Sequence, residues 1–411
     1  MAAGENAASA PVPMLDVNRQ NAPLAREIDA ALAQVVQTGA FINGPACRDL
    51  EEAFAKYVGV DHAIGCASGS DALLLPLMAL GIGPGDEVLC PSFTFFATAG
   101  AVWRLGARPV FVDILPDTMN IDPADAERKA TPRTKAIIPV HLFGQSADMV
   151  GLAELALRHD WAVVEDACQA IGATCRGKQV GAIGEFGAFS FYPTKNLGGF
   201  GDGGMITTAD KEHAETMRRL RNHGQHPRYY HHLVGLNSRL DTMQAAVLRI
   251  KLPHVERWSQ LRSEKAATYT REFTNRQLES FLTLPAVAAG VTSVWNQYTV
   301  RVAGGRRNAL QEALTASGIG SAIYYPVPLH LQGCFNELGY QRGDLPVTEQ
   351  AADEVLSLPM FPEMTDSEQS RVIECVAAFA KTGKAPTRPT TVVLSGLMPT
   401  AGANIDLPAA R

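Results

Sequence analysis

The chain has 411 residues, of which 46% are hydrophobic and 19% are charged, and its formal net charge is −6. This length predicts two domains, and the composition is typical of a globular protein. The negative charge offers no electrostatic footprint for nucleic acid or for an anionic membrane, so we expect neither as a partner.

The cysteines and the termini favour a protein of the reducing cytoplasm. Seven scattered cysteines without CxxC spacing predict neither a disulfide framework nor a zinc site. The N-terminus lacks the basic and apolar regions of a secretory signal, and no apolar stretch approaches the length of a membrane span. We expect disordered tails at residues 1–13, which are rich in Ala and Pro, and at residues 381–411.

Short apolar runs rich in β-branched residues alternate with helix-like segments up to about residue 255. They predict helices at Asp71–Leu80, Phe96–Leu105 and Met149–His159. They predict strands at Ala63–Ala67, Glu87–Cys90, Pro109–Ile114, Ala136–Val140, Ala162–Glu165, Ala188–Tyr192 and Met205–Thr208. This alternation predicts an α/β domain at residues 14–255, whose mainly parallel sheet has helices on both faces.

A smaller α+β domain is predicted at residues 256–380. A helix at Ser238–Lys251 and a long helix from about Val255 lead into it. Within it we expect strands and helices in mixed order, the strands at Trp295–Val302 and Gly320–Tyr325 and the helices at Asn308–Ala316, Thr348–Leu356 and Asp366–Phe379.

An aspartate and a lysine follow two of the predicted strands. Asp166 ends the run Val163–Asp166, and Lys195 comes soon after the run that ends at Tyr192. Taken singly, a strand-end Asp is more often a loop acid and a loop Lys is usually solvated. At neighbouring strand ends the two together suit pyridoxal phosphate, which needs an amine for a Schiff base and a carboxylate for its ring nitrogen.

Three further motifs allow a functional and a structural interpretation. The start of the helix after Ser68-Gly69-Ser70 could bind a phosphate, although simple capping would also explain the serines. The glycine run at 198–204 does not fit GxGxxG, and we interpret it as a flexible turn beside the lysine loop. The histidines at 223–232 lack acidic ligands and HExxH spacing, which favours a substrate-contacting loop over a metal site.

These motifs, in this order, resemble those of the sugar aminotransferases of the DegT/DnrJ/EryC1/StrS group, which have the fold of type I aminotransferases. The resemblance runs from about Leu15 to Phe379 and includes 83–88, 165–167, 190–195, 201–204, 237–241 and 325–330. It implies a large domain with a mainly parallel seven-stranded sheet, plus the smaller C-terminal α+β domain.

The resemblance also implies roles for single residues. Lys195 would be the Schiff-base lysine and proton carrier, and Asp166 would pair with the pyridine nitrogen of pyridoxal 5′-phosphate. The other implied cofactor contacts are Gly69, Ser70 and Ser190 to the phosphate, Phe95 stacked on the ring, Gln169 near the ring hydroxyl, and Asn237 reaching the phosphate of the neighbouring subunit. The last contact implies a homodimer with shared active sites. Cys168 stands where the family usually has alanine.

The stretch 223–239 resembles the branch that acts on 3-keto sugars, which includes the enzyme for UDP-2-acetamido-3-oxo-glucuronate. This implies transamination of a nucleotide-linked keto-sugar, with glutamate or glutamine as the amino donor. Arg239 would meet a sugar carboxylate, and Tyr324 and His330 would also contact the substrate. A salt bridge from Arg239 to Asp241, or a phosphate contact, is the alternative.

Two other functions remain open at this point. Sugar 3-dehydratases of the family carry histidine in place of the lysine, so Lys195 favours transamination. A non-catalytic member that binds a ligand or regulates a partner would not need Lys195 and Asp166, and both are present.

Overall fold

The computed structural model describes residues 10–384, which form a large α/β domain and a smaller α+β lobe. The strands are β1 His62–Cys66, β2 Glu87–Pro91, β3 Arg108–Val112, β4 Thr134–Ile137, β5 Ala162–Asp166, β6 Thr174–Cys175, β7 Lys178–Gln179, β8 Phe186–Ser190, β9 Gly204–Thr208, β10 Leu282–Thr283, β11 Val291–Thr292, β12 Tyr298–Val302 and β13 Val355–Leu358. The α-helices are α1 Val17–Asn21, α2 Ala25–Thr38, α3 Pro45–Val58, α4 Gly69–Ala79, α5 Ala97–Arg104, α6 Pro123–Lys129, α7 Met149–His159, α8 Lys211–Leu220, α9 Thr242–Lys251, α10 Val255–Asn275, α11 Arg307–Ala316, α12 Pro346–Glu354 and α13 Asp366–Thr382.

The large domain is built on a seven-stranded sheet in the order β1-β9-β8-β5-β4-β2-β3. Strand β9 pairs antiparallel with both neighbours, and the other pairs are parallel. Side chains of β2 alternate between two core clusters, because Val88 and Cys90 pack on one side of the sheet and Leu89 on the other. The predicted mainly parallel sheet, covered on both faces, is therefore confirmed.

The ends of several elements differ from the prediction by a few residues. The strand predicted at Ala188–Tyr192 is Phe186–Ser190, because the chain leaves the sheet while its sequence is still apolar. Phe191 and Tyr192 lie in the loop, where Phe191 packs in the core and Tyr192 is half exposed. The hydrophobic run thus predicted that a strand is present, but it did not predict the residue at which the strand ends.

The smaller lobe contains the sheet β10-β12-β13 and the helices α10, α11 and α13. Two predictions for it were wrong. Residues 320–325 form no strand and make one isolated bridge, from Ala322 to Ser357. Strand β12 pairs with both β10 and β13, and the first residues of β13 fall where the sequence predicts the end of a helix. A short apolar run gives the same pattern in a buried strand and in a helix end.

The predicted tails also need correction at their inner ends. Val12 is buried, and its backbone pairs with Gly318 and Gly320 at N···O distances of 2.9 and 2.8 Å. Residues 10–13 are therefore docked on the smaller lobe, and α13 continues to Thr382. Residues 1–9 and 385–411 of the predicted tails lie outside the described residues. Between residues 10 and 384, no helix has the length and hydrophobicity needed to cross a bilayer.

Candidate active site

The carboxyl ends of the parallel strands bring the candidate residues to one edge of the sheet. Asp166 is the last residue of β5, and Ser190 is the last residue of the neighbouring strand β8. Gly69 begins α4 shortly after β1 ends at Cys66. Ligands of open α/β sheets bind at this edge, so its side chains define the candidate site.

Asp166 is buried, and its carboxylate has a fixed orientation. Oδ2 accepts a hydrogen bond from Thr98 Oγ1 at 2.9 Å, and Oδ1 accepts one from the Cys168 N–H at 3.3 Å. Thr98 is fully buried at the start of α5 and lies 3.0 Å from Thr94 Oγ1. Thr98 was not predicted as a site residue, because a single threonine in an apolar helix gives no local signal.

The residue before Asp166 anchors the strand that carries it. Glu165 is fully buried, and its Oε2 lies 2.9 Å from His141 Nε2. His141 Nδ1 accepts the Ala147 N–H at 3.1 Å, so Nε2 carries the hydrogen and donates to Glu165. Three backbone N–H groups also donate to this carboxylate, those of Gly181, Ile183 and Gly184. A buried carboxylate with four donors holds the end of β5 rigidly.

Lys195 lies in the loop that follows β8, and its N–H donates to the Tyr192 carbonyl at 2.9 Å. Among residues 10–384, Nζ has no hydrogen-bond partner. Desolvation lowers the pKa of Lys195, while electrostatic interaction with Cys168 and Asp166 acts in the opposite direction. A lowered pKa favours the neutral amine, which is the form that attacks a carbonyl carbon.

The start of α4 has the features of a helix N-terminus that can bind an anion. Ser68 caps this helix by accepting the Asp71 N–H at 3.1 Å, which leaves the Gly69 and Ser70 amides without intrahelical partners. A Cβ atom on residue 69 would lie 2.6 Å from Ser190 Cβ. Glycine thus lets the helix start approach the end of β8, where the hydroxyls of Ser70 and Ser190 are available.

Gln169 and two aromatic residues form another part of the site. Gln169 is buried; its Oε1 accepts the Phe143 N–H at 2.9 Å, and its Nε2 donates to Tyr325 Oη at 3.1 Å. The Tyr325 and Phe95 ring centroids are 6.3 Å apart, and Phe95 is 56% exposed, so its face is free to stack on a ligand. Burial raises the pKa of Tyr325, which keeps its hydroxyl protonated. Tyr325 was not predicted as a site residue.

The segment containing Asn237 and Arg239 is tied to α4. Ser238 Oγ donates to Asp71 Oδ2 at 2.7 Å and accepts the Ala67 N–H at 3.2 Å. Asn237 and Arg239 therefore line a cleft of about 670 Å³ that also includes Ile42, Ser68, Gly201, Asp202, Asp241 and Gln244. Arg239 donates to Asn222 Oδ1 at 2.7 Å, and no ion pair to Asp241 is present in the described residues.

The two other predicted substrate contacts differ in position. Tyr324 is partly buried and lies beside Tyr325, with 5.9 Å between ring centroids. His330 is 1% exposed; its Nδ1 lies 2.7 Å from Ser92 Oγ and its Nε2 lies 3.2 Å from Glu349 Oε1. The structure therefore does not bring His330 to the surface of the site, because both ring nitrogens already have buried partners.

These residues fit pyridoxal phosphate. Lys195 supplies an unpaired amine, Asp166 a fixed carboxylate, and the α4 start an anion site whose approach to β8 depends on a glycine. The histidine-rich loop does not assemble a metal site: within residues 10–384, no group of three or more His, Cys, Asp or Glu side chains is placed to hold a metal.

A mainly parallel seven-stranded sheet with a smaller α+β lobe, together with such a site, defines a type I aminotransferase that depends on pyridoxal 5′-phosphate. The chain belongs to the DegT/DnrJ/EryC1/StrS aminotransferase family, whose model matches residues 23–377. Solved structures similar to this chain include PLP and PMP forms.

Three similar proteins illustrate the range of the family. A Geobacillus stearothermophilus protein named pleiotropic regulatory protein is 51% identical, over 90% of this chain and 98% of its own length. An Acidithiobacillus ferrooxidans protein named UDP-N-acetyl-3-dehydro-alpha-D-glucosamine 3-aminotransferase is 46% identical, over 88% of this chain and 96% of its own. The crystal structure of Streptomyces venezuelae DesV superposes on this chain with a TM-score of 0.87 and 46% sequence identity, over 90% of this chain and 99% of the DesV chain.

Proposed function

We propose that this enzyme transfers an amino group to the C3 ketone of a nucleotide-linked hexose, with glutamate or glutamine as the donor. The observation that carries the proposal is the placement of Lys195 and Asp166 at neighbouring strand ends beside the α4 anion site. The named reaction of the Acidithiobacillus relative supports the sugar and the position of the ketone. The scattered free cysteines support a cytoplasmic location.

Lys195 and Asp166 would divide the chemistry between them. Bound pyridoxal phosphate supplies an electron sink for the carbon that carries the transferred nitrogen. Lys195 Nζ would hold the cofactor and then carry the proton between donor, cofactor and sugar. Asp166 would keep a proton on the pyridine nitrogen, and the hydrogen bond from Thr98 would keep that carboxylate aligned.

The remaining predicted residues would hold the cofactor in place. The Gly69 and Ser70 amides and the hydroxyls of Ser70 and Ser190 would bind its phosphate. Phe95 would stack on the ring. Gln169, held by the Phe143 N–H, would lie near the ring hydroxyl.

We further propose a homodimer with shared active sites, in which Asn237 reaches the cofactor phosphate of the partner. Three exposed apolar residues near the Asn237 cleft support an interface there, namely Phe41 (47% exposed), Ile42 (53%) and Phe200 (48%). Because Ser68 lines the same cleft, contact between Asn237 and the phosphate of its own subunit is the competing arrangement.

The most specific part of the proposal is that the sugar carries a carboxylate at C6. Arg239 supports it, because this cation lines the cleft and its hydrogen-bond partner is a neutral amide, that of Asn222, although the carboxylates of Asp202 and Asp241 line the same cleft. The substrate named for the Acidithiobacillus relative has no carboxylate, and that favours an uncharged sugar.

A regulatory role is the second candidate, and the name of the Geobacillus relative favours it. A purely regulatory protein has no need of an unpaired, partly buried lysine beside a fixed aspartate. Lys195 likewise separates this chain from the dehydratases, in which histidine takes the place of the lysine.

The test is a screen of nucleotide-linked 3-keto and 4-keto sugars with glutamate and with glutamine, in which the amino product is detected by mass. The matched control is Lys195→Ala, which should keep the fold but lose both turnover and the absorbance of bound cofactor. Turnover of 4-keto sugars alone would contradict the C3 assignment. Normal turnover by Lys195→Ala would contradict the role of the lysine.

A further inference from the structure

A pair of buried asparagines joins the Lys195 loop to the smaller lobe. Asn196, 2% exposed, follows Lys195 directly; its Nδ2 donates to the Val294 carbonyl at 3.0 Å, and its Oδ1 accepts from Asn296 Nδ2 at 2.8 Å. Because the Val294 carbonyl can only accept, the orientation of the Asn196 amide is fixed. The atom of Asn296 that faces it must therefore be the nitrogen.

Asn296 is fixed in turn to the framework of the smaller lobe. Arg262, in α10, is 1% exposed, and one of its terminal nitrogens donates to the carbonyls of Trp295, Asn296 and Met360 at 3.2, 3.3 and 3.0 Å. Desolvation lowers the pKa of Arg262 to about 10, so the side chain remains a cation at neutral pH. These bonds hold the segment around Asn296 against the chain that follows β13.

The same segment also contacts the loop that holds Gln169. The Val294 N–H donates to the Gly144 carbonyl at 2.9 Å, and Ser293 forms an isolated antiparallel β-bridge with Gln145. Phe143, in that loop, is the residue whose N–H orients Gln169. A movement of residues 293–296 in the smaller lobe would thus shift both the lysine loop and the loop that orients Gln169.

The Lys195 loop has a second anchor of a different kind. Lys251 Nζ, in α9 of the large domain, donates to the Gly198 carbonyl at 2.6 Å. That anchor fixes the loop to its own domain. The asparagine pair is the contact that fixes it to the other lobe, next to the reacting amine.

We propose that Asn296 is a positioning residue for transamination. Through its hydrogen bond to Asn196 it fixes the position of Lys195 Nζ in the site, and it thereby couples the lysine loop to the smaller lobe. This proposal rests on the role given to Lys195 above. The amine must serve both cofactor attachment and proton transfer, and a displacement of about 1 Å can slow a reaction by on the order of a hundredfold. The competing interpretation is that the pair only satisfies buried polar groups and contributes stability.

The test compares Asn296→Leu with a matched control, Gln369→Leu. Leucine approximates the volume of the amide side chains and removes their hydrogen bonds. Gln369 is 2% exposed in the same lobe and donates to the Lys265 carbonyl at 2.7 Å, far along the chain from the site. Both variants should lower Tm, since each loses a buried hydrogen bond.

Of the two variants, only Asn296→Leu should change the activity and the pKa of the Lys195 amine. We expect its kcat to fall by about ten- to a hundredfold while KM for each substrate changes by less than about threefold. In the cofactor-free protein, the pKa of Lys195, measured from the pH dependence of amine labelling by mass spectrometry, should rise toward the ordinary lysine value, because a freed loop is better solvated. Asn196→Ala breaks the same bond from the other side and should give the same changes if Asn296→Leu fails to fold.

An unchanged kcat and labelling pKa in a folded Asn296→Leu or Asn196→Ala would overturn the proposal, whatever happens to Tm. Labelling needs neither cofactor nor sugar, and the first half-reaction needs only the amino donor. Failure of the sugar assignment would therefore leave this comparison intact.

Discussion

Gly69 and Ser190 are so close that a Cβ atom on residue 69 would lie 2.6 Å from Ser190 Cβ and 3.0 Å from Cys168 Sγ. This contact joins the first residue of α4 to the last residue of β8. It sets the position of the helix amides relative to the strand that leads to Lys195, so the proposed phosphate site depends on the absence of one methyl group.

Gly69→Ala should therefore weaken binding of pyridoxal phosphate by at least about tenfold, because relief of the overlap must move the helix start or Ser190. Absorbance titration of the cofactor-free protein measures the change. Gly83→Ala is the matched control, since a Cβ there would meet its nearest atoms at 4.0 Å. Equal affinity in the two variants would contradict the role of the close contact.

Asp166→Asn should retain cofactor but lose most activity, because the amide keeps the shape and removes the charge that would stabilise the protonated ring. We expect kcat to fall by on the order of a hundred- to a thousandfold. Thr98→Val removes the donor to Oδ2 and should have a smaller effect, about tenfold. Single-turnover kinetics with the amino donor report both changes; if Asp166→Asn turned over like the parent, the pyridine partner would be another residue.

Mixing Lys195→Ala subunits with Asn237→Ala subunits tests whether the sites are shared. If Asn237 serves the partner's site, each heterodimer has one site free of both changes and should recover up to about half of the parent activity. If Asn237 serves its own site, both sites of the heterodimer are impaired and activity stays low. Activity must be measured on purified heterodimers that carry two different tags.

Arg239→Ala tests for a carboxylate on the sugar. Loss of a charge-assisted pair is worth about 1.5–3 kcal/mol, so activity on an acid substrate should fall by roughly ten- to a hundredfold relative to a 6-deoxy substrate. Arg239→Lys should recover only part of this, because an ammonium lacks the planar fork. An equal loss on both substrates would assign Arg239 to the cofactor or the interface.

The N-terminal segment is held to α13 by a pH-dependent pair. Arg19 donates to both carboxylate oxygens of Glu368 at 2.9 and 2.8 Å, and this hydrogen bonding lowers the pKa of Glu368 from 4.5 to about 2. As the pH falls, the unfolded chain takes up the proton first, so the contribution to stability is complete above pH 4.5 and is lost on the way to pH 2.

Glu368→Gln should accordingly lower the free energy of unfolding at neutral pH by about 1–2 kcal/mol, less than the full shift implies because the Arg19 side chain is 37% exposed. Urea unfolding measures the difference, which should shrink at about pH 3.5. A difference that does not change with pH would show that the ion pair contributes nothing measurable.

The sequence by itself determined the features that local patterns encode. Apolar runs alternating with helical segments specified the parallel sheet, because each strand must bury both faces. Asp166 and Lys195 could be chosen because both follow such runs, and parallel strands bring their carboxyl ends to one edge. The family motifs then implied a common phosphate ligand for Gly69, Ser70 and Ser190.

Tertiary structure alone decided which distant groups complete the site. Thr98 reaches Asp166 across 68 residues, Asn296 reaches Asn196 across 100, and Tyr325 reaches Gln169 across 156. Tertiary structure also paired β13 with β12, docked Val12 on the smaller lobe and buried both ring nitrogens of His330. A hydrogen bond between such residues depends on the packing of whole elements, and neither residue type nor spacing along the chain encodes that packing.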